Sequence, residues 1–257
     1  MLSIHILIVR SLKISTWVLI FFGGYMNTLK RIIKYFSLSE ILLWIISVIL
    51  IVVSFLIFDK VNYLTLIASL IGVTSLIFIA KGNPIGQVLT IAFSFIYGFI
   101  SFKFKYYGEL LTYVGMTMPM AFFALISWLK NPYNGNKTEV KVSHLKKKEP
   151  IFIVIMTTII TIAFYFILKA FDTKNIIPST ISVATSFLAV YLTFRRSPLY
   201  AIGYAVNDIV LIVLWSLAAV ENLSYISVVV CFIAFLANDI YGFINWKKME
   251  KRQSKTE

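Results

Sequence analysis

Two short stretches in the last third of the chain set an amide and a carboxylate side by side within apolar sequence: Ala205-Val206-Asn207-Asp208-Ile209 and Leu236-Ala237-Asn238-Asp239-Ile240. An ionisable side chain at the centre of a membrane helix costs about 2.5–3.5 kcal/mol on insertion scales, so by default it marks a solute or ion pathway. Each pair offers donors and acceptors together, a chemistry suited to hydroxyl groups or to a proton. A second reading of each pair is interhelical glue, bonded to a neighbouring helix without meeting a solute.

On a helix entered at Pro198, Tyr200, Tyr204, Asp208, Leu211 and Trp215 are spaced 4, 4, 3 and 4 and form one stripe. Asp208 then lies about 15 Å from the inner end, close to the midplane. On the next helix, running the other way, Phe232, Phe235, Asp239, Gly242 and Trp246 share a face, with Asn238, Tyr241 and Asn245 adjoining. The two pairs can therefore meet at similar depth. A weaker counterpart precedes them: Gln87, Thr90, Ser94, Tyr97 and Ser101, then Tyr113, Thr117 and the mid-span Pro119, which frees backbone carbonyls that can line a cavity. The candidate solute site is Tyr200, Tyr204, Asn207, Asp208, Asn238, Asp239, Gln87, Ser94, Tyr97 and Thr117. Its hydroxyls, amides, acids and rings suit a neutral, ring-bearing, hydroxyl-rich solute such as a nucleoside. The stripe from Gln87 to Ser101 equally suits packing, and Trp128 and Trp246 suit an aromatic belt at the inner interface.

These residues need membrane helices to hold them. The 257 residues are 60% apolar and 14% charged, far from the soluble mix, and the net charge of +13 sits between apolar runs. That distribution excludes a nucleic-acid stripe and fits positive-inside topology. Cys231 is the lone cysteine, and the histidines are His5 and His144, so no disulfide, zinc site or histidine catalysis has material to build on. No phosphate-cradling Gly-x-x-x-x-Gly-Lys motif occurs. No catalytic residue, metal or cofactor is expected, and the acids are too few to assign an acid and a base to an enzyme.

Eight apolar runs predict spanning helices near 41–58, 64–80, 84–102, 109–129, 151–170, 177–194, 198–219 and 224–246. Each approaches the roughly 20 residues that cross a bilayer core, and none shows the alternation of a barrel. Residues 1–25 read as an extension open to three readings, a signal-like segment, an extra span or an upstream misreading of the start; the last is favoured, because Met26-Asn27-Thr28-Leu29-Lys30-Arg31 looks like a natural cytoplasmic beginning. Lys30, Arg31, Lys34, Lys81, the lysines of the 130–150 loop, Arg195, Arg196 and the basic tail after 246 all fall on one side, which places both ends in the cytoplasm. The 130–150 loop itself reads as a solvated connection.

Across that loop the sequence repeats weakly. Lys81-Gly82-Asn83-Pro84 and a span ending at Trp128 answer Arg195-Arg196-Ser197-Pro198 and a span ending at Trp246, with steps of 114 and 118 residues. The expected architecture is an all-α polytopic membrane protein with a 3+1+3 parallel-repeat core. Residues 26–63 form a cytoplasmic start and an added helix, 64–129 the first repeat, 151–176 a linker helix, 177–246 the second repeat, and 247–257 a cytoplasmic tail.

The elements Lys81-Gly82-Asn83, Tyr106-Tyr107-Gly108-Glu109, Pro119-Met120, the Arg195-Arg196 corner and Tyr241-Gly242-Phe243-Ile244-Asn245-Trp246 together resemble the Pnu-type vitamin transporters, over roughly residues 41–250. The resemblance implies a fold akin to the SWEET sugar carriers, a homotrimer in the bacterial inner membrane, and facilitated diffusion of nicotinamide riboside trapped by a cytoplasmic kinase. It implies a central site of rings and amides on the sixth to eighth spans. Carriers of nicotinamide riboside in that family show two tryptophans three apart after the arginine pair; here Ala201 and Tyr204 stand there, with Tyr200 adjacent. Deoxynucleosides, thiamine and riboflavin, and a proton-coupled nucleoside carrier using Asp208 or Asp239, stay open as alternatives.

Overall fold

The computed structural model describes residues 35–103 and 107–255. The extension at 1–25, the basic residues Lys30, Arg31 and Lys34, and Tyr106 lie outside them. The chain divides into two units, Met1–Leu43 and Trp44–Glu257. In the first, the Ser37 amide donates to Glu40 Oε2 at 2.7 Å and the Glu40 amide to Ser37 Oγ at 3.3 Å, a reciprocal cap that starts a helix.

Among the described residues, eight helices are long and apolar enough to cross a membrane. They are α1 (Leu38–Asp59), α2 (Tyr63–Ala80), α3 (Ile85–Lys103), α4 (from Tyr107–Leu110 through Leu111–Thr117 to Met118–Lys130), α5 (Glu149–Ala170), α6 (Ile176–Phe194), α7 (Tyr200–Glu221) and α8 (Ile226–Gln253). Lipid offers the backbone no partners, so each span closes its own hydrogen bonds. Hydroxyl groups are satisfied within the same turns: Thr74 bonds to the Leu70 carbonyl, Thr90 to Gly86 and Ser182 to Ser179. In α4 the stretch Leu111–Thr117 is a π-helix lying just before Pro119. The proline ring would strike the carbonyl four residues back, and the wider turn gives it room.

The corners after α2 and α6 are built alike. Gly82 has φ +67° and Arg196 φ +58°, both left-handed. The Gly82 amide bonds to Ile79 O and the Asn83 amide to Phe78 O; the Arg196 amide bonds to Thr193 O and the Ser197 amide to Leu192 O. Both are therefore Schellman terminations, one on glycine and one on an arginine that carries the strain of a left-handed side-chain residue.

The last turns of α4 and α8 cross onto these corners. Trp128 Nε1 donates to Thr193 O at 2.9 Å and Trp246 Nε1 to Ile79 O at 2.8 Å. Ser127 Oγ donates to Phe194 O at 3.0 Å and Asn245 Nδ2 to Ala80 O at 2.8 Å. Each half thus grips the corner of the other, and the two indole rings meet 5.4 Å apart. Both tryptophans are wholly buried, which corrects their reading as an interfacial belt. Gly203 permits a similar approach between α6 and α7, since a Cβ there would lie 2.9 Å from the Ala189 Cα.

The 130–150 loop is also more than a solvated connection. Pro132–Tyr133 (β1) and Asn136–Val140 (β2) form a hairpin about Asn134-Gly135, whose φ values of +47° and +76° match the primed turn that this dipeptide favours. Its Val140 is fully buried, with its amide on Gly82 O at 2.9 Å, and the Ser143 amide reaches Arg196 O at 3.0 Å. The loop therefore spans both corners. α8 runs on past Trp246 to Gln253, whose amide side chain bonds to Val140 O and accepts from the Val142 amide at 2.8 Å. Residues 247–253 are thus docked helix, where a free tail was expected. Glu149 at the start of α5 pairs with Arg195 and accepts from Tyr191 Oη at 3.1 Å, so Arg195 ties α5 to the second corner as well as marking topology. The Glu149 carboxylate holds the Arg195 guanidinium above its ordinary value, whereas burial and the neighbouring Arg195 charge lower Arg196.

Replacing either tryptophan by phenylalanine strands one buried carbonyl, which costs about 1–3 kcal/mol. Trp128→Phe and Trp246→Phe are each expected to lower the melting temperature in detergent by several degrees. Unchanged melting in both variants would show that the crossed bonds contribute little.

Candidate solute cavity

A cavity of about 590 Å³ lies between α2, α3, α4, α6, α7 and α8. Its lining descends α7 from Glu221 and Asn222 to Tyr204, and α4 from Glu109 to Thr117. Lys174 and Glu221, paired at 2.6 Å, line one end with side chains 74% and 64% exposed, so the cavity opens there. The Glu221 carboxylate also holds the Lys174 ammonium above its ordinary value. At the other end the lining includes Ile79, whose carbonyl receives Trp246, so the tryptophan clasp lies directly under the floor.

Of the residues expected at the site, Tyr204, Asn207, Asp208, Asp239 and Thr117 line this cavity. Asp208 on α7 and Asp239 on α8 line the same cavity, and Asp208 Oδ2 is buried with no partner among the described residues. Asn207 Oδ1 accepts from Thr185 Oγ1 at 2.8 Å and Ser186 Oγ at 2.9 Å. Both bonds anchor the amide to α6, leaving its NH₂ as the donor group for the cavity.

The other five stand behind the wall. Asn238 donates to Ser47 Oγ at 3.0 Å and to Ala234 O at 2.7 Å, which makes it the glue between α8 and α1. Tyr200 is 1% exposed, its ring 4.9 Å from that of Trp246 and 6.2 Å from that of Tyr204, so it braces the floor. Gln87 and Ser94 are buried against neighbouring helices, and Tyr97 packs on Phe93 at 5.5 Å and Tyr113 at 4.6 Å. Of the polar stripe on α3 only Thr90 reaches the lining. The stripe faces the interior, as its spacing implies, but most of that interior is packed.

Sequence reading passed over three groups of the lining. Ser179, Ser182 and Ser186, with Val190, form a stripe on α6 at spacings of 3, 4 and 4 that was open to the same argument as α7. Gly72 and Ser75 on α2 carried no such signal, because a glycine and a serine in an apolar run look like packing. Glu109 was noticed only as part of a motif. Together the lining carries Glu109, Asp172, Asp208, Glu221 and Asp239 against Lys174 alone, where the sequence reading places two of these acids at a site for a neutral solute. No cluster among the described residues offers three His, Cys, Asp or Glu for a metal ion.

Eight spans, six of them around a cavity with polar and aromatic walls that is open at one end and blocked at the other, define a membrane solute carrier. The chain belongs to the nicotinamide mononucleotide transporter family, whose model matches residues 62–248. It is 25% identical over 206 residues to the nicotinamide riboside transporter PnuC of Neisseria mucosa, covering 77% of each chain, and 25% identical over 196 residues to the PnuC of Haemophilus influenzae, covering 74% of this chain and 82% of that one. The crystal structure of the vitamin B3 transporter PnuC superposes with a TM-score of 0.72 at 23% identity, over 85% of this chain and 94% of that one, and so shares the fold.

The placement of the two asparagines yields a test. Asn207→Ala is expected to weaken solute binding about ten-fold, because it removes a cavity donor, and to lower the melting temperature as well, because its two bonds to α6 are lost. Asn238→Ala should lower the melting temperature while leaving affinity near that of the unchanged protein. Binding isotherms and melting curves on both variants check the contrast, and equal effects on affinity would contradict it.

Proposed function

We propose that the chain is a passive carrier of nicotinamide riboside. The observation that carries this reading is the charge of the cavity: five acids, aromatic walls, and a single cation already paired at the mouth. Nicotinamide riboside bears a permanent positive charge on its pyridinium ring and hydroxyls on its ribose. The ring can lie against Tyr204, Trp215, Phe232 or Phe235, and the ribose can bond to Asn207 and the Asp208–Asp239 pair. Tyr204 stands where carriers of this solute have tryptophan, and it retains an aromatic face with a hydroxyl at its tip.

The names of the relatives support the riboside, whereas the family description names the mononucleotide. The lining favours the former, since a phosphate would enter an acidic cavity without a free cation. The basic end, with its lysine loop and arginine corner, faces the cytoplasm, so the mouth opens outward and both ends of the chain lie inside. The two halves rock about the floor to expose the site alternately. A cytoplasmic kinase traps the vitamin, and three copies assemble as a homotrimer, both by analogy with the Pnu-type family. A second reading keeps the carrier but couples it to protons. It is favoured by two buried acids, Asp208 and Asp239, lining one cavity on neighbouring spans, with Asp208 Oδ2 unpartnered among the described residues.

In proteoliposomes, labelled nicotinamide riboside is expected to equilibrate across the bilayer and to be displaced by unlabelled riboside. The mononucleotide should be a poor competitor. Absence of both binding and equilibration would remove this reading, and stronger competition by deoxynucleosides, thiamine or riboflavin would reassign the solute. An imposed pH gradient should leave the final distribution unchanged; concentrative uptake that Asp208→Asn abolishes would establish the proton-coupled carrier instead.

A further inference from the structure

The lining extends along α7 from Tyr204 to Glu221, about 25 Å at the rise of an α-helix, which is longer than one nucleoside. Asp208, Asp239 and Asn207 serve the floor half. The mouth half contains an acid to which the proposed carrier mechanism gives no role. Glu109, at the start of α4, lines the cavity with Thr112 and Tyr113, which follow it at i+3 and i+4 and so share its helix face.

Tyr113 belongs to a cluster of rings. Tyr113 lies 5.8 Å from Phe93, which lies 6.1 Å from Phe235, and all three line the cavity. On the α7 wall Trp215 and Tyr225, 5.2 Å apart, also line it. A carboxylate beside ring faces on two walls is the chemistry that holds an organic cation. Among the described residues the only lysine or arginine of the lining is Lys174, which is bound to Glu221.

We propose that Glu109 and these rings form an outer recognition subsite for positively charged aromatic solutes, which selects a pyridinium over a neutral nucleoside before the solute reaches Asp208 and Asp239. The subsite rests on the cavity being the route of nicotinamide riboside. It makes Glu109 a specificity residue of that route. It also gives a role to an acid of the lining that lies apart from Asp208 and Asp239.

The test compares nicotinamide riboside with its reduced form, which has the same ribose and no ring charge. Affinities are read from quenching of the protein's tryptophan fluorescence, to which Trp215 of the lining contributes, in the purified full chain. The unchanged protein should prefer the charged form. Glu109→Gln should reduce that preference about ten-fold by weakening the charged form alone, and Glu109→Asp should keep it. Ala218→Lys, which sets a cation in the lining of the mouth half without altering Glu109, should reduce it as well and serves if Glu109→Gln fails to fold. An unchanged preference in a folded Glu109→Gln or Ala218→Lys protein, or an equal loss for both solutes, overturns the subsite. If the unchanged protein binds neither solute, it is the riboside reading itself that falls.

Discussion

The crossed bonds of Trp128 and Trp246 are the constraint on which the rest of the structure depends. A helix end in a membrane protein leaves carbonyls unsatisfied, and at this depth water is scarce. The Ile79, Ala80, Thr193 and Phe194 carbonyls all find donors on the opposite half. The same four bonds that complete α2 and α6 therefore fix α4 and α8, and through them the walls of the cavity. Because they lie beneath Ile79 and Tyr200, they also close its floor. One set of contacts thus serves stability and blockage at once, and any state open at the basic end has to break or move it.

A second constraint follows from where polar groups are left over. Most hydroxyls along the spans bond to their own helix, and Asn238 bonds to Ser47. A few buried polar atoms, Ser94 Oγ and Gln87 Nε2 among them, have no partner among the described residues, and Asp208 Oδ2 is the carboxyl oxygen in that group, with a second acid, Asp239, in the same lining. A group held in that condition is expensive, and the surrounding fold must supply the cost. Tyr200 packed on Trp246 braces α7 against α8 just below. Binding a cation beside the two acids offsets the cost of burying them, which is a physical reason for solute and closure to influence each other.

Much of this was legible in the sequence, and the boundary is instructive. The eight spans follow from the length and composition of apolar runs, which lipid enforces without regard to detail. Asp208 and Asp239 were legible because an acid in such a run has few innocent explanations. Asn238 was not, since an amide on the adjoining face has the same spacing whether it meets a solute or Ser47. Tyr200 and Tyr204 share a stripe, yet one braces Trp246 and the other lines the cavity, a difference of a single helical turn. Trp128 and Trp246 stand where an interfacial belt would put them, and only the corners packed over them reveal that they are buried. The hairpin was written in Asn134-Gly135, but its docking on Gly82 and Arg196 is a tertiary fact.

The two halves also explain why their chemistry is unequal. At the step of 114 residues that relates the corners, Asp208 corresponds to Ser94, and at the step of 118 that relates the tryptophans, Asp239 corresponds to Ala121. Ser94 and Ala121 are buried, small and away from the cavity. The corners are therefore built alike while the acids of the floor have no match on α3 and α4. Each further carboxyl group at the floor would add its own desolvation cost. Keeping the pair in α7 and α8 leaves α3 to pack its stripe as wall, and α3 and α4 contribute instead the rings of Phe93 and Tyr113 and the acid of Glu109. Walls of unlike chemistry thus stand on corners of like build, which gives one cavity both acids and ring faces to present to a flat solute.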